Sequence, residues 1–270
     1  MPNRYLYIDE GRKHLHTLDG KPLLGSTTVK GIIGKGDALS QWYADNAAVA
    51  GLAFPVQDIK QEYDVAQKLQ DKVERAKAKK ALDEKYPNYA IARKAAVTSR
   101  DASATIGTER HGELEEYIRS CLETNQGIPL AHSVGESIGV SSFVDWSLEK
   151  VEQFYFTEAY CYHESLWVGG VADLGMKLKD GRRLVGDHKS SKEAYPDQFL
   201  QCAIYDRLLN HSGGLDRNGN KLFDWELADG YVVFPFRSEP FTPEFRWNVD
   251  EFRQAVDWTV GLYKLIELNN

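Results

Sequence analysis

A mixed α/β core carrying a helical addition at its front is the fold class predicted for this 270-residue chain. Three observations lead to it. Residues 153–163, 166–178 and 183–189 read as strands, the first with alternating polar and apolar side chains and the last two joined by a short turn. Residues 88–122, 194–210 and 249–268 repeat polar and apolar side chains at the period of helices. The resulting order of helix, three strands, helix, strand, helix belongs to elements that share one core.

Taken in order, residues 4–30 read as strands and turns: Tyr5-Leu6-Tyr7-Ile8, then His14 to Leu18, then the turn Asp19-Gly20-Lys21-Pro22. Ser26-Thr27-Thr28-Val29 leads into a helix that reaches Leu39-Ser40-Gln41-Trp42 and continues through the alanine-rich 43–53. Helical periodicity covers 57–84 and 88–122, with Pro87 as the break. Glycines and Pro129 make 123–145 a looser link, and a short helix follows over 141–150. Lys179-Asp180-Gly181-Arg182 closes a hairpin whose strands run from Trp167 to Leu178 and from Arg183 to Lys189. Ala194 to Asn210 is helical and stops at Gly213-Gly214. Asp216 to Asn220 is a surface turn, Gly230 to Phe236 a strand, and Val249 to Leu268 a closing helix. This organisation sets residues 1–100, a hairpin with a helical addition packed on the core, before a core of residues 101–270.

Composition narrows the class. With 42% hydrophobic residues the chain can bury a real core. It has no apolar run of transmembrane length, and Met1-Pro2-Asn3-Arg4-Tyr5 lacks the apolar region of a secretory signal, so the expectation is a soluble, cytoplasmic protein with no membrane partner. Cys121, Cys161 and Cys202 are widely spaced, as free thiols in a reducing compartment are, and are one too few for a four-cysteine iron–sulfur cluster. Gly34-Lys35-Gly36 lacks the spacing of a nucleotide-binding loop, so no nucleotide cofactor is expected. The net charge of −7 argues against a protein that coats nucleic acid indiscriminately, but the charge at a cleft depends on distribution. Residues 57–100 carry eleven Lys and Arg against seven Asp and Glu, which reads either as a solvated helical face or as an arm facing DNA.

The chemistry concentrates in the hairpin. Gly170-Val171-Ala172-Asp173 and Gly186-Asp187-His188-Lys189 bring two carboxylates and a lysine together across paired strands. Asp187 and Lys189, two apart, share a face. Phosphodiester hydrolysis needs an in-line water, a cation against the charge gathering on the phosphoryl oxygens, and a group that orients the water. Magnesium takes oxygen ligands and retains waters, which suits Asp173 and Asp187, while Lys189 can hold the water, its pKa lowered by a neighbouring cation. A lone Asp-x-Lys is also what any solvent-facing strand offers. Here it is accompanied, in order, by Gly107-Thr108 with His111, Glu158, and Gln201-x-x-x-Tyr205.

This ordered set, spanning roughly residues 100–236, resembles the PD-(D/E)xK nuclease superfamily. Within it the set is similar to the RecB-type exonuclease branch, which includes phage exonucleases and the mitochondrial genome maintenance exonuclease. Ser26 to Val29 with Leu39-x-x-Trp42 resembles the N-terminal region of those members. The resemblance implies a restriction-endonuclease-like core: a central mixed β-sheet flanked by helices in αβββαβ order. It also implies a Mg²⁺ or Mn²⁺ ion ligated by His111, Asp173, Asp187 and the main-chain carbonyl of His188, with Lys189 as the catalytic lysine and Glu158 assisting metal or water. Gln201 and Tyr205 would brace the site and contact DNA. His188 stands where relatives often have tyrosine, which keeps the carbonyl's role and leaves the side chain's open. Taken alone, His111 also reads as a surface or capping histidine, Glu158 as a solvent-facing strand residue, and Gln201 and Tyr205 as an amphipathic helix face. Ser190 and Ser191 either donate to a phosphate or cap the following helix.

The function expected is a metal-dependent DNA exonuclease acting on DNA that is single-stranded or has free ends, in phage or prophage recombination, alongside a recombination or single-strand-binding protein. Two alternatives stand: an endonuclease of the same superfamily, and a nucleic-acid-binding module that keeps the fold without turnover.

Overall fold

The computed structural model describes residues 3–10, 13–31, 56–87, 90, 110–131, 138–191, 193–236 and 242–267. They divide into two compact units, 1–34 with 106–270 and, separately, 35–105, so the N-terminal hairpin groups with the core.

The described residues of the larger unit form two sheets. Strands β1 (Tyr5–Glu10), β2 (Lys13–Leu18) and β3 (Lys21–Pro22) form an antiparallel meander. The chain then adds a two-residue strand, β4 (Leu24–Gly25), to the main sheet and turns into the short helix α1 (Ser26–Lys30). After 110–125, a helix labelled α4 here, and α5 (Ile138–Lys150) come β5 (Val151–His163), β6 (Val168–Leu178) and β7 (Arg183–Lys189). Helix α6 (Pro196–Ser212), β8 (Gly214–Leu215), β9 (Lys221–Phe223), β10 (Gly230–Pro235), β11 (Glu244–Arg246) and α7 (Val249–Glu267) complete it. The main sheet runs β11-β10-β7-β6-β5-β8-β9, with β4 added beside β6. It is mixed: β10 is parallel to β7 and β4 to β6, while β5, β6 and β7 are antiparallel neighbours.

Helices cover both faces of this sheet because its strands are apolar on both sides. On β7 and β10, Val185, Tyr231 and Val233 join one core with Phe199, Leu208, Val256 and Val260 of α6 and α7. Leu184, Val232 and Phe234 join the other, with Leu114, Tyr117, Ile118 and Phe143 of α4 and α5. One carboxylate is built into the first core. Asp206, fully buried on α6, accepts hydrogen bonds from Trp225 Nε1 (3.0 Å), the Ala228 amide (2.9 Å), the Tyr231 hydroxyl (3.1 Å) and Arg253 (2.9 Å), tying α6, β10 and α7 together. The three cysteines are buried free thiols. No helix among the described residues is long and apolar enough to cross a membrane.

Several boundaries differ from the sequence reading. Helix 57–84 is two helices, α2 (Val56–Gln67) and α3 (Lys72–Lys85), because Asp71, in extended backbone, caps the second by accepting the amides of Val73 and Glu74. No residue of α3 is buried. The looser link is shorter than 123–145, since α4 runs to 125 and α5 begins at Ile138 despite Gly139. The helix expected from Ser26 to Trp42 is described only over α1, and 43–53, Trp42 and 91–109 lie outside the described residues.

Two stability outcomes follow. Asp206→Ala should cost roughly 3–5 kcal/mol in urea unfolding, because Arg253 would be left without its buried partner. His16 is buried and hydrogen-bonded to the Tyr5 hydroxyl (2.6 Å), and burial lowers its pKa to about 4 from 6.5. Between those values the unfolded chain binds a proton that the folded chain does not. Stability should therefore fall as pH drops from 6.5 toward 4, by up to about 3 kcal/mol for this residue. Denaturant unfolding at pH 7 and pH 4.5 should show a shallower fall in His16→Gln.

Candidate metal centre

The site forms where the sheet splits. β5 pairs with β6 along nearly the whole length of β6, but the other edge of β6 is shared: β4 takes Val168 and Gly169, and β7 takes Leu174 to Lys177. The last β6–β7 pair is Leu174 with Gly186. Beyond it β7 stays paired with β10, Asp187 opposite Val233 and Lys189 opposite Pro235. Asp173 and Asp187 are thus the first residues past the point where the two strands part. Instead of a β6 backbone carbonyl, the His188 amide finds Asp173 Oδ2 (3.1 Å).

Around this gap stand most of the residues singled out in the sequence. His111, on the first turn described of α4, places Nε2 3.4 Å from Asp173 Oδ2 and 3.7 Å from Glu158 Oε1. The register Thr157↔Leu174 and Ala159↔Ala172 sets Glu158 across from Asp173. Glu158 has a left-handed backbone, φ 51°, a conformation that costs a residue bearing a Cβ and that clusters at functional positions. Lys189 Nζ lies 2.5 Å from Asp187 Oδ2. Asp187 is fully buried, and neither of its oxygens accepts a hydrogen bond of good geometry.

The charges pull against one another. Burial, reinforced by Asp173, pushes Asp187 up to about 7 against the pull of Lys189. Burial works to raise Asp173 too, but the hydrogen bond from His111 and the charge of Lys189 hold it below the usual carboxylate range. The bond to Asp173 lifts His111 to about 9 against its burial, and burial followed by the charge of Asp173 lifts Glu158 to about 7. Lys189 was expected to have a lowered pKa beside a cation. In the described groups burial does lower it, but Asp187 and Asp173 prevail and raise it.

The other face of the gap belongs to α6 and α1. Gln201 donates to the Tyr205 hydroxyl (2.5 Å), and both are buried. Lys30 of α1 reaches Gln201 Oε1 (3.0 Å) and Asp197 (3.2 Å), and Ser26 bonds the Tyr205 side chain. A Cβ at Gly170 would stand 2.7 Å from Ser26 Oγ and 3.0 Å from Tyr205 Cε1, so glycine is what lets α1 close against β6. Neither Ser190 nor Ser191 caps the next helix: α6 begins at Pro196 with Tyr195 as its N-cap, whose amide is taken by Gln198 (2.9 Å). Ser191 meets Gln198 at 3.4 Å, and Ser190 is exposed. Lys30 escaped the sequence reading, as did the ring of His188. The only signal toward Lys30 was its place directly after Ser26 to Val29.

Ligand atoms of His111, Asp173 and His188 lie within 4.8 Å of one another, as do those of His111, Glu115 and Glu158. Two carboxylates at a gap, one of them buried with Lys189 as its ion-pair partner and the other beside imidazole, are a donor set that a divalent cation satisfies. No family model matches the chain, and no match is found among curated proteins.

A cation at this gap competes with the proton on His111 and with that on Glu158. Mn²⁺ affinity should rise from pH 6 to pH 8, with proton release visible as a dependence of the calorimetric heat on buffer ionisation enthalpy. An affinity independent of pH would remove both residues from the site.

Proposed function

We propose that the chain is a metal-dependent DNA exonuclease of the PD-(D/E)xK superfamily, RecB-type branch, built on a restriction-endonuclease-like core and working in the cytoplasm on phage or prophage DNA. One observation carries the reading: the half-buried Asp173 and the fully buried Asp187 stand together where β6 and β7 part, with Lys189 ion-paired to Asp187. The flanking order supports it, since α4 brings His111 from before the strands and α6 brings Gln201 and Tyr205 from after them.

His111, Asp173, Asp187 and the carbonyl of His188 would hold Mg²⁺ or Mn²⁺, with Glu158 reaching it through the His111 side. When bound, the ion supplies positive charge against the phosphoryl oxygens. Lys189, kept protonated by Asp187 and Asp173, donates to the attacking water and aligns it with phosphorus. As charge moves onto the phosphate, the same ammonium stabilises it. Gln201 and Tyr205 hold α6 against the gap, and the exposed Ser190 at the end of β7 is available to a phosphate oxygen. DNA with a free end is the substrate, delivered by a recombination or single-strand-binding partner.

End-labelled DNA incubated with Mg²⁺ or Mn²⁺ should be degraded from its ends, while a covalently closed single-stranded circle should survive. Efficient cutting of the circle would make the protein an endonuclease. Lys189→Ala should abolish hydrolysis and keep Mn²⁺ binding by calorimetry, whereas Asp187→Ala should lose both. Equal loss of metal in the two variants would contradict the roles given to them.

A further inference from the structure

The ring of His188 serves no purpose in the mechanism above, which uses only its carbonyl. Among the described residues three phenylalanines pack on it: Phe143, Phe234 and Phe236 lie with ring centroids 5.6, 5.5 and 5.6 Å away. An imidazole is an expensive filler for such a place, since a phenyl ring would pack there without a polar atom to satisfy. His188 is 7% exposed, and its Nε2 is buried with no hydrogen-bond partner. On its remaining side the ring meets His111 edge-on at 5.5 Å. A ring nitrogen of His188 also lies within 4.8 Å of the ligand atoms of both His111 and Asp173. These are separate observations, a buried imidazole whose Nε2 has no partner and a ring nitrogen of that imidazole grouped with two other ligand atoms.

We propose that the His188 imidazole is itself a metal ligand, forming with His111 and Asp173 a two-histidine, one-carboxylate set that takes a divalent transition ion such as Mn²⁺ in preference to Mg²⁺. The preference follows from the donors. Mg²⁺ is held by oxygen and gives up its waters reluctantly, whereas imidazole nitrogen suits first-row transition ions. Asp187, on the neighbouring position of β7, points to the opposite face of the sheet, where Lys189 pairs with it, and is not needed for this set. The inference deepens the proposed function and rests on it only for placing a divalent ion in this gap.

The test is Mn²⁺ binding by the full chain. Nitrogen hyperfine couplings from the Mn²⁺-loaded wild type should count two coordinated imidazoles, and calorimetry should give a tighter Kd for Mn²⁺ than for Mg²⁺. His188→Phe keeps the backbone carbonyl and suits the phenylalanine surroundings. It should melt like the wild type, show one coordinated imidazole, bind Mn²⁺ more weakly by at least about tenfold and lose most of the preference over Mg²⁺. A wild type with one or no coordinated imidazole overturns the proposal, and that spectrum decides the matter even if the variant does not fold. A folded His188→Phe with undiminished Mn²⁺ affinity also overturns it. Two coordinated imidazoles in a protein that hydrolyses no DNA would instead sink the nuclease reading and leave this ligand set in place.

Discussion

The parting of β6 and β7 after Leu174 and Gly186 is the constraint on which the rest of the site depends. A sheet that stayed paired would spend the His188 amide on a backbone carbonyl and leave no room between the strands. Because β4 occupies the far end of the same edge of β6, the opening is bounded at both ends and cannot simply unzip. Asp173 stands in the opening with its carboxylate taking the amide that the split leaves over. The helices then have defined tasks: α4 delivers His111 from one face of the sheet, while α6 and α1 close the other through Gln201, Tyr205, Ser26 and Lys30.

Two buried aspartates show how differently one residue type can be used. Asp206 has a donor for each oxygen and joins three elements, which is the arrangement of a carboxylate retained for architecture. Asp187 is equally buried, has Lys189 against one oxygen and no well-formed hydrogen bond at either, and lies beside a second carboxylate that raises its pKa. Such a pair works against folding in the absence of a cation. A chain that keeps it has accepted a cost at one place in the sheet, and binding a divalent ion there returns stability by linkage. The same contrast separates the His188 ring, orphaned at Nε2, from His16, whose Nδ1 is met by the Tyr5 hydroxyl.

Much of this was legible in the chain. The hairpin from Trp167 to Lys189 could be placed from the Asp180-Gly181 turn between two strand-like runs, and helices 194–210 and 249–268 from their period. What escaped was either too short to carry a period or too distant in sequence to carry a pattern. β4, β8, β9 and β11 are two or three residues each, fixed by pairing with longer strands rather than by propensity. The break at residues 68–71 hid because Asp71 looks like one more charge in a charged helix until its cap is seen. Lys30 and Gln201 meet across 171 positions, which no local window spans. The His188 ring was set aside for a related reason: on an alternating strand it points away from Asp187 and Lys189, and only the helix carrying His111 gives that side a chemistry.

The split between β6 and β7 is, on this reading, a divalent-cation site. Diffraction from crystals grown with Mn²⁺, recorded at the manganese absorption edge, tests it most directly. An anomalous peak is expected within bonding reach of Asp173, Asp187 and His111. A well-ordered site with no peak there, or a peak only at some other place on the molecule, would contradict it.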